Sequence, residues 1–270
     1  MKYKLIDESI EYFGRTLYRI EAVKDFGNIK KGDKGGFIEA TKNLSQENLS
    51  WVFGNAKVYD NAEVYGSAWV CGNAKVSGDA WVCGNAKVYD NAEVFGNARV
   101  CGNAEVYDNA LVYGNALVFG NALVSGNAKV YDNAEVHGNA RVYGNALVCG
   151  NAWVSDNAEV YGNALVYGNA LVYGNALVFG NAWVSGNARV CGNALIKNYD
   201  EINKTNNYMV LQGFEYIITV TYSSINIGCK SYTLDQLDTV FNEPEYNNIK
   251  DIPRIKAMCE IALDKILEEI

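Results

Sequence analysis

The sequence predicts an all-β solenoid: a parallel β-helix of three six-residue units per coil, with a small N-terminal cap and a C-terminal α+β domain. Three observations predict it. A six-residue unit repeats 24 times from Val52 to Leu195 without insertion or deletion. Its first position is Val and its fifth Ala in every copy, and its fourth departs from Asn only at Ser67 and Asp79. Ala56-Lys57-Val58-Tyr59 alternates small apolar, polar, apolar and aromatic, the period-two pattern of a short strand. A fixed period this short marks a solenoid, in which each unit buries its apolar face only against its neighbours.

Within a unit, Val and Ala point inward while the variable residue and the aromatic point outward. Gly-Asn or Asp-Asn then breaks the strand, and both Asn and Gly are expected to take up the left-handed backbone of a sharp corner. Three units close one coil of 18 residues, so the 24 units make eight coils. At a strand spacing of ~4.8 Å the column is about 38 Å long. The invariant Val and the small residue four places later resemble the hexapeptide-repeat, left-handed parallel β-helix family. The left-handed winding is what that resemblance implies, since parallel crossovers are otherwise right-handed.

Residues 1–51 read as an N-terminal cap with an irregular first coil, 52–199 as the β-helix and 200–270 as the C-terminal α+β domain. In the cap, Thr16–Ala22 alternates as a strand and Lys31–Gly36 is turn material. Ile38 and Leu44 are six apart, so the first coil starts there, with two extra residues before Val52. Taking every third unit sorts the aromatic slot into three outward faces, and their rings are expected to stack while the Asn residues form amide ladders along the corners. The variable slot is mostly Lys, Glu, Arg and Trp before Glu105. Leu then fills a whole coil at Leu111, Leu117 and Leu123, and again at Leu165, Leu171 and Leu177. Outward Leu beside outward Tyr forms an apolar band that something is expected to cover. Leu111, Leu117, Leu123, Leu165, Leu171 and Leu177 with Tyr113, Tyr167 and Tyr173 are therefore the candidate contact residues. Beyond Leu195 the pattern dissolves from Ile196 to Asn207 as a polar linker. Tyr208–Leu211, Glu215–Tyr222 and Ser224–Tyr232 then read as strands. Thr233 and Gln236 form a capping box for a short helix through Phe241. A terminal helix from about Ile252 to Ile270 presents Ile255, Cys259, Ala262, Leu263 and Ile266 on one side, and the unit is expected to cap the last coil.

Composition narrows the function. A formal charge of −8 and a pI near 4.8 argue against a general nucleic-acid or anionic-membrane binder. No signal-peptide pattern or membrane-length apolar run is present, and the seven cysteines follow no disulfide spacing, so the expectation is a cytoplasmic protein with reduced thiols. The resemblance raises acyl transfer, which in that family needs a general base, usually His, at a cleft built by an extruded loop. Here His137 is the only histidine, it occupies an aromatic slot, and no loop interrupts the repeat. No catalytic residue, cofactor or metal site is therefore expected. Cys83 and Cys101 lie one coil apart with His137 further along the same face, too few converging ligands for structural zinc. A disulfide between the two is geometrically conceivable, though the compartment argues against it. Mimicry of DNA is a weaker alternative, because the five corner Asp residues scatter over all three faces.

A second resemblance lies in Phe13-Gly14-Arg15-Thr16-Leu17-Tyr18-Arg19-Ile20, with Lys34-Gly35-Gly36-Phe37-Ile38-Glu39. These are similar to the head of repeat proteins encoded by phages and prophages, and Gly228–Asp235 resembles a module often appended to them. The resemblance implies a phage-related accessory protein in the host cytoplasm. The expected function is thus a non-enzymatic interaction scaffold that binds a host or phage protein, such as a host defence component, or a second copy of itself. A hexapeptide-repeat acyltransferase is the alternative. Because Val118 is one of the invariant inward residues, Val118→Asp should abolish cooperative unfolding, an unpaired buried charge costing several kcal/mol. A thermal melt matching the wild type would mean the inward and outward positions are reversed.

Overall fold

A computed structural model describes residues 1–197, 200–202, 207–211, 218–227, 230–241 and 252–268. Each six-residue unit contributes a two-residue strand, the variable residue followed by Val, as in Leu117–Val118. The strands stack in parallel into sheets of 12, 9 and 8 strands, the first of them ending in antiparallel cap strands, and wind into a solenoid of about nine turns. The register is constant: Val112 pairs with Val130 and Val118 with Val136, eighteen residues apart. Backbone N–H groups next to the strands donate to the following coil, as Leu117 N to Ala134 O at 2.9 Å and Phe119 N to Val136 O at 3.0 Å. The Val and Ala of every repeat unit are wholly buried, so the core is a narrow shaft of small side chains.

The corners differ from the sequence expectation in one respect. Only the Gly or Asp position takes positive φ, Gly120 at +72° and Asp108 at +57°, while the Asn beside it does not. One left-handed residue suffices to turn the chain, which frees the Asn to act along the column. Asn103 Nδ2 donates to Asn121 Oδ1 and Asn121 Nδ2 to Asn139 Oδ1, each at 3.0 Å, and similar amide ladders run up all three corners. The glycines are also tightly stacked. A Cβ added to Gly120 would stand 3.0 Å from the backbone N and O of Gly138. Where Asp replaces Gly and a glycine follows one coil on, the carboxylate accepts that glycine's N–H, as Asp108 Oδ2 does from Gly126 at 3.0 Å and Asp156 Oδ2 from Gly174 at 3.0 Å.

At the N-terminus, Tyr3–Tyr12 and Arg15–Ala22 form an antiparallel hairpin across Phe13-Gly14, both at positive φ. The first of these strands has no clear signal in the sequence, because its charged residues obscure the alternation. Arg15–Ala22 pairs antiparallel with Lys34–Ile38, which pairs in parallel with Lys57–Val58, so the cap extends one face of the column. In the first coil Ile38 pairs with Val58 and Leu44 with Val64, an offset of twenty rather than eighteen. The base of the column is closed by Trp51, in edge contact with Tyr3 and Phe26, and by the ammonium of Lys2. That ammonium donates to Ser50 O at 2.6 Å and Glu47 O at 3.1 Å, and burial pushes its pKa down to about 8.

The column continues past Leu195, where a linker was expected. Leu195–Lys197 and Glu201–Ile202 are strands, with Ile196 on Val178 and Ile202 on Val184. The aliphatic spacing of six persists through Val190, Ile196 and Ile202 after the Gly-Asn-Ala consensus has gone, and pairing follows the aliphatic residues. Beyond it, Tyr208–Leu211, Ile218–Thr221, Ser224–Ile227 and Lys230–Thr233 form a four-stranded antiparallel sheet. The single strand expected from Ser224 to Tyr232 is two, Ile227 pairing with Lys230. Glu215–Ile217 and Gly228–Cys229 lie outside the described residues. Gln236 Oε1 accepts from Thr233 N at 2.9 Å at the start of the short helical segment, as expected of the capping box. One side of the sheet packs Leu211, Ile218, Val220, Ile225 and Ile227 against Ile255, Cys259, Ala262 and Ile266 of the helix Ile252–Glu268. The other side meets the last coil with polar groups. Thr219 Oγ1 accepts from Leu195 N at 3.0 Å, Asn226 Nδ2 donates to Leu195 O at 3.1 Å, and the buried Asp200 accepts from Thr221, Ser223 and Ser224. Two core clusters result, one along the column and one between sheet and helix.

Gly120→Asp should cost less than about 1.5 kcal/mol, since Asp adopts the same φ elsewhere and can accept the Gly138 N–H, whereas Gly120→Val should cost several times more. Chemical denaturation of the two variants checks this, and equal losses would contradict the corner geometry.

Candidate interaction surface

Outward side chains come in pairs that flank each buried Val, the variable residue before it and the aromatic-slot residue after it. Because three units make a coil, each filled ring of leucines is divided among three faces. Leu111 with Tyr113 and Leu165 with Tyr167 lie on the 12-stranded sheet, Leu117 and Leu171 with Tyr173 on the 8-stranded sheet, and Leu123 and Leu177 on the 9-stranded sheet. The nine residues expected to form a contact surface therefore do not make one patch. The band encircles the column, and a partner lying along one face meets only that face's share. All six leucines are half-buried.

The 8-stranded face carries an aromatic cluster that grouping by coil concealed. Phe119 is 38% and Trp153 45% exposed. Between them stands His137, its ring stacked on Phe119 at 4.8 Å and meeting Trp153 edge-on at 5.7 Å. Leu117 flanks Phe119 on the same strand side, and Leu171 pairs in register with Trp153. Leu117, Phe119, His137, Trp153, Leu171 and Tyr173 thus share one face, with Glu135 in register between Leu117 and Trp153. The sequence carries a signal for Trp153: every third variable slot falls on one face, which places Trp153 beside His137. Ser155, in the aromatic slot after Trp153, is nearly buried, so larger neighbours close over it. Below this cluster, the Arg99 guanidinium lies 4.3 Å over the Trp81 ring.

The same face holds a correction. Cys83 and Cys101, expected as reduced thiols, are joined in a disulfide with a Cα separation of 4.6 Å. Successive coils bring slots eighteen residues apart to strand spacing, so two cysteines in one outward file stand within bonding distance whenever they fall in consecutive coils. Cys71, Cys149, Cys191 and Cys259 are free, and burial pushes the Cys259 thiol up to about 12. His137 has ring neighbours on both sides, Phe119 and Trp153, and Ser155 follows it one coil on in the same file. Among the described residues no three His, Cys, Asp or Glu side chains come together as a metal site requires, and no helix is long and apolar enough to cross a membrane.

Five stretches of the column, residues 56–72, 112–126, 140–156, 158–173 and 170–186, match the family model described as YdcK Beta solenoid repeat. The chain is a β-solenoid repeat protein. The matched stretches cover less than half of the chain and all lie within the repeat, so they carry its architecture rather than an activity. No curated protein matches the chain.

The Cys83–Cys101 bond should leave two fewer cysteines reactive with iodoacetamide in denaturant without reductant than after reduction, when all seven react, as read by intact mass. Closing an 18-residue loop is worth about 3 kcal/mol in the chain-entropy picture, so reduction should lower the melting temperature. Seven reactive thiols before reduction would remove the bond.

Proposed function

We propose that the protein is a non-enzymatic, rigid interaction scaffold that binds another protein through the 8-stranded face. The observation that carries this reading is the exposed Phe119–His137–Trp153 cluster, bordered by Leu117, Leu171 and Tyr173. Large aromatic side chains on a fixed backbone lose little conformational entropy on binding and concentrate interface energy. The position of His137 between two rings supports a contact surface over the general base of an acyltransferase. The setting we propose is a phage- or prophage-encoded accessory protein in the host cytoplasm, acting on a host or phage protein such as a defence component. The resemblance of Phe13–Ile20 and Lys34–Glu39 to phage repeat proteins supports it. Were the Cys83–Cys101 bond reduced in that compartment, the backbone ladder would still hold the two coils together.

The test combines Phe119→Lys with Trp153→Lys and compares the pair with Leu165→Lys plus Trp183→Lys on the 12-stranded face. Lys occupies the variable slot of Trp153, Leu165 and Trp183 elsewhere, at Lys87 and Lys129, and Phe119 is an exposed side chain, so both pairs should retain β-rich circular dichroism. A host protein, or a second copy detected by light scattering, that binds the wild type should bind the first pair at least ~30-fold more weakly, as loss of two hot-spot residues implies, and the second pair unchanged. Equal effects from both pairs would place the contact elsewhere. Acetyl transfer from acetyl-CoA that disappears in His137→Ala would replace the scaffold reading with an enzymatic one.

A further inference from the structure

The junction between the cap and the column contains a cavity of about 470 Å³ that the scaffold reading does not use. Its walls are the tight turn Phe26-Gly27-Asn28-Ile29, then Leu49, Phe53 and Trp69, with Ser67, Asn85 and Lys87 at the corner. The volume lies within the ~300–1,000 Å³ typical of small-molecule sites. Three departures from the repeat meet there. The two extra residues of the first coil carry Leu49 outward, where it is 46% exposed. Phe26 closes over Trp51, yet the turn stops one coil short, leaving the next Trp of the same file, Trp69, 37% exposed beside Phe53 at 5.4 Å. The third departure is Ser67, which stands where the consensus has Asn.

Ser67 both opens the cavity and sets its polarity. In each ladder Asn Nδ2 donates to Asn Oδ1 one coil on, so an Asn at 67 would give its amide to Asn85. With Ser there, Asn85 is the first rung: it donates to Asn103 at 3.0 Å, and among the described residues no side chain donates to its Oδ1. The space that an amide at 67 would fill is therefore open and bordered by an acceptor. The cation in the wall, Lys87, is engaged by Glu105 Oε1 at 2.8 Å, so the site offers no free charge to an anion.

We infer that this cavity is a binding site for a small, neutral, flat aromatic molecule that carries an N–H or O–H donor, its ring between Leu49 and the exposed Trp69 and its donor on Asn85 Oδ1. The class follows from the lining: aromatic and aliphatic walls favour a flat ring, the open acceptor asks for a donor, and the paired Lys87 gives no advantage to a carboxylate.

Indole is a suitable probe, titrated into the full chain and followed by saturation-transfer NMR and calorimetry. A fragment of this size should bind with a Kd of the order of 1 mM. Ser67→Asn restores the repeat consensus, should melt no lower than the wild type, and should weaken indole binding at least tenfold by filling the space and consuming the acceptor. Trp69→Lys, which places in this file the residue already found at position 87, should weaken it as much. Trp153→Lys, on another face, should leave it unchanged. Benzoate and cyclohexanol should each bind at least tenfold more weakly than indole. The proposal is overturned if the wild type does not bind indole, if Ser67→Asn and Trp69→Lys bind it as the wild type does, or if benzoate or cyclohexanol binds equally well.

Discussion

Every feature of the column depends on one constraint, that each 18-residue coil must stack in register on its neighbours at strand spacing. The shaft enclosed by three two-residue strands is filled along the repeat by Val and Ala, all of them wholly buried. Burying a Val contributes about 1.5–3 kcal/mol. A hydrogen bond contributes about 0.5–1.5 kcal/mol net, and the exposed amide ladders sit at the low end of that range. Cross-coil ion pairs such as Lys75–Glu93 at 2.7 Å and Lys87–Glu105 at 2.8 Å are surface pairs worth about 0–1 kcal/mol each. The core therefore supplies the stability. The ladders and ring stacks instead set the register, because sliding one coil along its neighbour would break them together.

The same constraint makes the two ends the places where the chain must depart from its repeat. A bare coil end exposes unpaired N–H and C=O groups. At the base the answer is apolar, with Trp51 covered by Tyr3 and Phe26 and the buried Lys2 ammonium satisfying loop carbonyls. At the top it is polar, with Thr219 and Asn226 pairing with the backbone of Leu195 and a set of hydroxyl groups gathered around Asp200. Departure from the repeat also produces the only long exposed hydrocarbon of the first coil, Leu49, and with it the cavity at the cap.

The column was legible because its signal is repeated two dozen times: period, inward Val and Ala, outward rings and corner amides all follow from one unit. A left-handed winding is what the family resemblance implies, and the repeat itself carries no sign of handedness. Where a single copy carries the information, the reading weakened. Tyr3–Tyr12 went unseen because Lys4, Asp7, Glu8 and Glu11 interrupt its alternation. The stop assigned at Ile196 followed the lost Gly-Asn-Ala consensus, although Ile196 and Ile202 keep the spacing that pairing uses. Asn was granted a left-handed backbone it does not need, because propensity cannot say which of two permissive neighbours turns the corner. The contact residues were grouped along the chain, by coil, whereas a partner meets the column by face. Viewed by face, Phe119, His137 and Trp153 fall together, and Leu123 and Leu177 fall away from them.

A surface cluster of this kind can serve recognition only if the backbone beneath it is fixed, and that rests on the eighteen-residue register. Disulfide trapping measures it directly. With the native cysteines replaced by Ser, Tyr143→Cys plus Tyr161→Cys places two thiols in one file, where the native rings lie 4.8 Å apart. Tyr143→Cys plus Tyr167→Cys places them on different faces. The account predicts that mild oxidation closes the first pair nearly completely and leaves the second open. Trapping of the second pair, or of neither, would contradict the three-unit coil on which the fold and its candidate surface both depend.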